Sequence, residues 1–241
     1  MSRFDDIQES LNEAKRLISE IEVFYESAKG DESIKSGPKI KVKQVLNELR
    51  SSLDYCANDI ADYTGKKGSK VYFPYGRKMN HFDKGCNSSF PGLKSGGANN
   101  AIYNQLISIQ PFVVKDNWLY DICKLTNDNK HNKLTNYNRV ESKEKTLRIG
   151  PITLGPRGSA TIGTINIGGK ILNPQGPVHL SSQMSIDDVR KVIDTDLEVS
   201  STHEWVEFHV DNVSVDVLKV LIKGLNGIDN FMSSIYQILP K

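Results

Sequence analysis

Arg50, Asp54 and Asn58 stand at successive four-residue steps in LRSSLDYCAND, a stretch whose apolar positions recur at helical spacing, so all three project from one line of a helix. Asn127, Lys130 and His131 close a second helical stretch, with Asn127 and His131 again four residues apart. If these two helices pack side by side, a guanidinium, a carboxylate, an amide, an ammonium and an imidazole converge. That set is competent for phosphodiester chemistry without a metal. An imidazole with an unperturbed pKa near ~6.5 trades protons at neutral pH, and a guanidinium or ammonium stabilises charge on a phosphorane. His131 would act as acid and base, Arg50 and Lys130 as charge stabilisers, and Asp54 and Asn127 as orienters. The same spacing allows a plainer arrangement, in which Arg50 and Asp54 form an ordinary intrahelical pair while Asn127 and His131 cap a helix end.

Other residues carry weaker signals. His203, Glu207 and His209 share one face of an extended stretch, but the two histidines are six residues apart with no third nearby. A solvated sheet face is expected there rather than a metal site. Ser95-Gly96-Gly97 can present backbone amides to an anion or simply form a turn and cap. The stretch from Gly150 to Gly176 holds neither a Walker A nor a dinucleotide pattern, and no cofactor is expected. Cys123 reads as core. Tyr72, Phe73, Tyr75, Arg77 and Lys78 can stack on single-stranded bases, although Phe73-Pro74 serves equally to pin a loop onto a bundle.

The elements that must position these groups are legible from periodicity. Residues 4–28 place Phe4, Ile7, Leu11, Ala14, Ile18, Ile21, Tyr25 and Ala28 at alternating three- and four-residue steps, which predicts a long helix with a narrow coiled-coil-like seam. After Ser36-Gly37-Pro38, a second helix from Val42 to Ile60 should run antiparallel to it. Residues 65–97 lack clear periodicity and read as a long loop. A third helix is expected from Ala98 to Ile109, halted by Pro111, and a fourth from about Asp116 to Leu134. From Thr135 the pattern turns β-branched and Gly-punctuated, predicting a small antiparallel sheet with residues 201–210 as its clearest strand. Val217 to Ile235 forms a last amphipathic helix that should return to the bundle. The expected fold class is therefore α+β: a helical bundle over 1–134, a β-rich insertion over 135–211, and a C-terminal helix over 212–241.

The chain of 241 residues holds 31 Lys+Arg against 29 Asp+Glu, and the distribution is uneven. Residues 1–36 carry 5 basic and 9 acidic groups, whereas residues 37–114 carry 11 and 5, so the middle of the chain is the part suited to phosphates. No apolar run reaches the roughly 18 residues of a membrane span. The start MSRFDDIQES does not resemble a signal peptide. Three scattered cysteines, Cys56, Cys86 and Cys123, suit a reducing compartment, and a cytoplasmic location is expected.

The ordered set Leu49-Arg50-Ser51-Ser52-Leu53-Asp54, Phe73-Pro74, Ile109-Gln110-Pro111-Phe112, Trp118 and Asn127-Asp128-Asn129-Lys130-His131 resembles a group of uncharacterised bacterial proteins. Its members read approximately Arg-Ser-x-Leu-Asp, Phe-Pro, Gln-Pro-Tyr and Asn-x-x-Lys-His-Arg. The resemblance spans about residues 40–135, and the group in turn resembles the HEPN superfamily of helical bundles. That implies an RNA- or nucleotide-directed protein. It implies in particular a metal-independent endoribonuclease of a phage-defence or toxin–antitoxin system, with a homodimer and a cognate partner protein as possible company. The competing expectation is a non-catalytic binding or scaffold protein whose polar cluster is structural. The superfamily's active motif separates an Arg from the His by four to six intervening residues. Here those positions are Lys124, Leu125 and Thr126, so the guanidinium would have to come from Arg50.

Overall fold

The computed structural model describes residues 3–66, 71–93, 98–131, 134–172, 176–193, 197–211 and 215–239. Among the described residues helix accounts for 55% and strand for 17%, so the fold is mixed and dominated by helix. The chain divides into two compact units, one made of Met1–Glu22, Pro38–Tyr137 and His209–Lys241, the other of Val23–Gly37 and Asn138–Phe208. No helix among the described residues is long and apolar enough to cross a membrane.

α1 (Phe4–Gly30), which belongs to the first unit as far as Glu22, begins beside the end of α2 (Lys39–Tyr63), where Arg3 bonds Asp59, and Glu20 meets Lys41 at the other end, so the pair is antiparallel. The seam of α1 is buried within the chain itself, Ile7, Leu11, Ala14, Ile18 and Ile21 each being at most 5% exposed. Segment 65–97, expected to be a loop, instead contains a helix, α3 (Met79–Ser89). Its apolar face is only Phe82 and Cys86, one turn apart, and the polar residues between them concealed the period.

Next come α4 (Ala98–Ser108), the single turn α5 (Pro111–Val114) that Pro111 opens, and α6 (Trp118–His131). The last helix, α8 (Val217–Ile235), packs on both α2 and α6. Two glycines make that approach possible. A Cβ on Gly224 would sit 1.9 Å from Ile122 Cδ1, and one on Gly227 would sit 2.5 Å from the Trp118 ring. Asp216 caps α8 by accepting from the Lys219 N–H.

The second unit holds the small sheets. β2 (Lys145–Ile149) pairs antiparallel with β3 (Ile152–Leu154) and with β8 (Val199–His203). β4 (Ser159–Ile162) pairs with β7 (Val178–Ser181), β5 (Ile165–Ile167) with β6 (Lys170–Leu172), and β1 (Tyr137–Glu141) with β9 (Val206–Val210). Leu147, Ile149, Leu180, Val189, Ile193 and Val199 form its core, closed by α7 (Ile186–Val192), whose N-cap is Ser185.

The single strand expected over 201–210 is two strands in two sheets. The break at Glu204-Trp205 is held by Glu204 N–H donating to Glu144 C=O and Ser142 N–H donating to Trp205 C=O. The break also takes His203 off the expected solvated face, at only 5% exposure, whereas Trp205 on that face is exposed and Glu207 and His209 are half-buried. His203 Nδ1 lies 2.8 Å from Ser142 O, and its Nε2 faces Glu32 at 3.5 Å and Glu141 at 3.6 Å.

Candidate functional site

Residues 71–76, which include Phe73-Pro74, form neither helix nor strand, and proline disfavours helical geometry in the residue before it. Such a segment must find partners for its backbone groups elsewhere. Here side chains supply them, Gln110 fully buried and Asp54 half-buried. Asp54 Oδ1 accepts the Phe73 N–H at 2.9 Å, Gln110 Nε2 donates to Pro74 O at 3.2 Å, and Gln110 Oε1 accepts the Gly76 N–H at 3.2 Å. Gly76 passes so close to the start of α3 that a Cβ would lie 2.8 Å from the Phe82 nitrogen. The Phe73 ring meets Phe231 edge-on, 5.5 Å between centroids.

Arg50 braces this arrangement from α2. Its Nε donates to Asp54 Oδ2 at 3.1 Å and its NH2 approaches Oδ1 at 3.0 Å, a two-pronged pair, while NH1 donates to Cys123 Sγ at 2.8 Å. The guanidinium lies 5.3 Å from the centre of the Tyr75 ring. With Arg50 7% exposed, each of its three nitrogens ends on the protein. Burial pushes the Cys123 thiol up to about 11, against the pull of Arg50, so at neutral pH it is a neutral acceptor rather than a nucleophile. Asn58 turns back to the Asp54 carbonyl at 2.6 Å and takes no part.

The residues of α6 divide sharply. Thr126 is buried, donating to Leu46 O at 3.2 Å and Ile122 O at 2.8 Å, and Leu125 is buried as well. Lys124, Asn127 and Lys130 are exposed. Asn127 Nδ2 donates to the Tyr75 hydroxyl at 3.2 Å, so it reaches the outer rim of the Arg50 network without touching Arg50 or Asp54. The His131 side chain lies outside the described residues, as does Ser95-Gly96-Gly97.

Beside Asn127 stands an aromatic pair. Tyr75 meets Tyr120 edge-on at 6.0 Å, and the Arg77 guanidinium lies over the Tyr120 ring at 4.1 Å. Of these, Tyr120 gave no sequence signal beyond its position four residues before Lys124. Gln110 appeared only as part of a motif. A groove of about 310 Å³ between α1 and α2 is lined by Asp6, Glu9, Ser10, Glu13, Glu48 and Tyr55, whose charge opposes phosphate.

Set against family models, curated proteins and solved structures, the chain matches none of them. What links the motif residues is physical: Arg50, Asp54, Phe73-Pro74 and Gln110 all meet at one segment.

Proposed function

We propose that the chain is an RNA- or nucleotide-directed protein of HEPN-like helical-bundle type, acting in the cytoplasm, in which Arg50 and Asp54 hold the wall of the site and the exposed end of α6 meets the ligand. The observation that supports this division is the commitment of all three Arg50 nitrogens to Asp54 and Cys123, against the exposure of Asn127 and Lys130. An arginine so engaged and only 7% exposed has its Nε–NH2 edge filled by Asp54 and offers little to a phosphate, whereas an exposed ammonium and amide are accessible. Asn127, Lys130 and His131 are three and four residues apart at one helix end, the arrangement that suits a charged, polar ligand.

A second reading, a metal-independent endoribonuclease of a phage-defence or toxin–antitoxin system, is favoured by the presence of a histidine at that same end. There His131 would exchange protons and Lys130 would neutralise developing charge. The test is expression of wild type beside His131→Ala in a bacterial host, with growth and total RNA followed, and with RNA co-purification measured in parallel. Fragmentation lost in the variant identifies a nuclease. Intact RNA carried by both proteins identifies a binding protein. RNA neither bound nor cut leaves the polar cluster as the scaffold of a protein with another role, and the proposal fails.

A further inference from the structure

We propose that Arg77, lying over Tyr120 and flanked by Tyr75, is a stacking subsite for one unpaired base of single-stranded RNA; the subsite rests on the RNA reading above and gives it a place. The Arg77 guanidinium covers the Tyr120 ring at 4.1 Å, yet the side chain remains 55% exposed. Its one described ion pair is long, 3.9 Å to Asp121. A planar cation that lies over an aromatic ring and is half exposed to solvent accepts a base as a further layer, a geometry that a lysine ammonium lacks.

The support is held in place before any ligand arrives. Tyr75 is fixed by Arg50 at 5.3 Å, by Asn127 on its hydroxyl at 3.2 Å, and by the edge of Tyr120 at 6.0 Å, so little ordering remains to oppose binding. Tyr120, Lys124, Asn127 and His131 follow one another at four-, three- and four-residue steps, which puts an exposed cation and an exposed amide on the seam that leads away from the stack. Lys78 and Lys130 are also exposed, and the acidic groups on this part of α6 are the half-buried Asp121 and Asp128. A backbone of phosphates is complementary to such a strip. Bases in a duplex are already stacked on their neighbours, so an unpaired base is the one that fits.

The test is fluorescence anisotropy with three labelled probes: an eight-nucleotide oligoadenylate, an abasic RNA of the same length, and an RNA duplex. Wild type is expected to bind the oligoadenylate roughly tenfold more tightly than the abasic probe, the gain one stacked base gives. Arg77→Lys keeps the charge and should lose that preference; Tyr120→Leu should lose it too, with a thermal melt checking that the bundle survives. Arg77→Lys stays informative if Tyr120→Leu unfolds, because Arg77 is exposed. A wild-type protein that binds oligoadenylate and abasic RNA alike, or an Arg77→Lys variant that keeps the preference, overturns the subsite and leaves the RNA reading standing. A wild-type protein that binds no probe overturns both.

Discussion

Each nitrogen of Arg50 ends on the protein itself, and the partner that sequence spacing does not reveal is Cys123. A thiol buried against a guanidinium makes a testable link between pH and stability. Its pKa is raised in the fold from an ordinary 9.0 to about 11, chiefly by burial. The unfolded chain therefore loses this proton first as pH rises. The stabilising contribution is complete below about pH 9 and is lost progressively toward about pH 11, amounting to about 2–3 kcal/mol if Cys123 acts alone. Cys123→Ser keeps an acceptor for Arg50 but cannot titrate in this window. Urea unfolding measured at intervals from pH 8 to 11 should show a shallower decline for the variant than for wild type; parallel curves would remove Cys123 as the cause. Cys56 is also buried, with its thiol pushed up, so wild type should keep all three cysteines unreactive toward thiol reagents under native conditions near neutral pH.

At the scale of elements, the contact of α8 with α6 depends on what Gly227 lacks. The atoms a Cβ would meet at 2.5, 2.8 and 2.9 Å belong to the rigid indole of Trp118, which is buried at 8% exposure. Gly227→Ala should therefore destabilise by about 1–3 kcal/mol despite alanine's better helix propensity, because the overpacking cost exceeds the gain of about 1 kcal/mol. The variant's Trp118 fluorescence should shift as the indole is displaced, and an unchanged or raised melting midpoint would refute this packing. Such glycines explain why long helices were easy to read and their packing was not. The seams of α1, α2 and α8 are periodic over many turns, so their buried faces follow from sequence. Helix α3 escaped because two apolar residues do not make a period, and His203 escaped because a two-residue break at Glu204-Trp205 ends the alternation that would have left it exposed. In the site, the Arg50–Asp54 spacing was legible, and its meaning was not. Whether such a pair faces solvent or a buried thiol depends on residues 73 and 123, which neighbour it only in space.

For the molecule as a whole, the helical unit is assembled from three separated stretches, and α8 must return across a long sequence gap to cover α2 and α6. Closure of that gap is entropically costly. Separately, the polar braces from Asp54 and Gln110 hold segment 71–76 as the wall beside the exposed face of α6. In the proposed RNA-directed function, Arg50 belongs to that wall, and Asn127, Lys130 and Arg77 meet the ligand. Arg50→Lys separates the two assignments within one residue: charge persists, the fork to Asp54 and Cys123 does not. The most direct test is a paired measurement on wild type and Arg50→Lys, combining the thermal midpoint with the affinity for a labelled single-stranded RNA at a temperature well below both midpoints. The expected result is a loss of about 1–3 kcal/mol, seen as a midpoint lowered by several degrees, with RNA still bound and its affinity lowered by less than about tenfold as Tyr75 loses one of its supports. An unchanged midpoint with RNA binding abolished would place the Arg50 guanidinium on the ligand and contradict it.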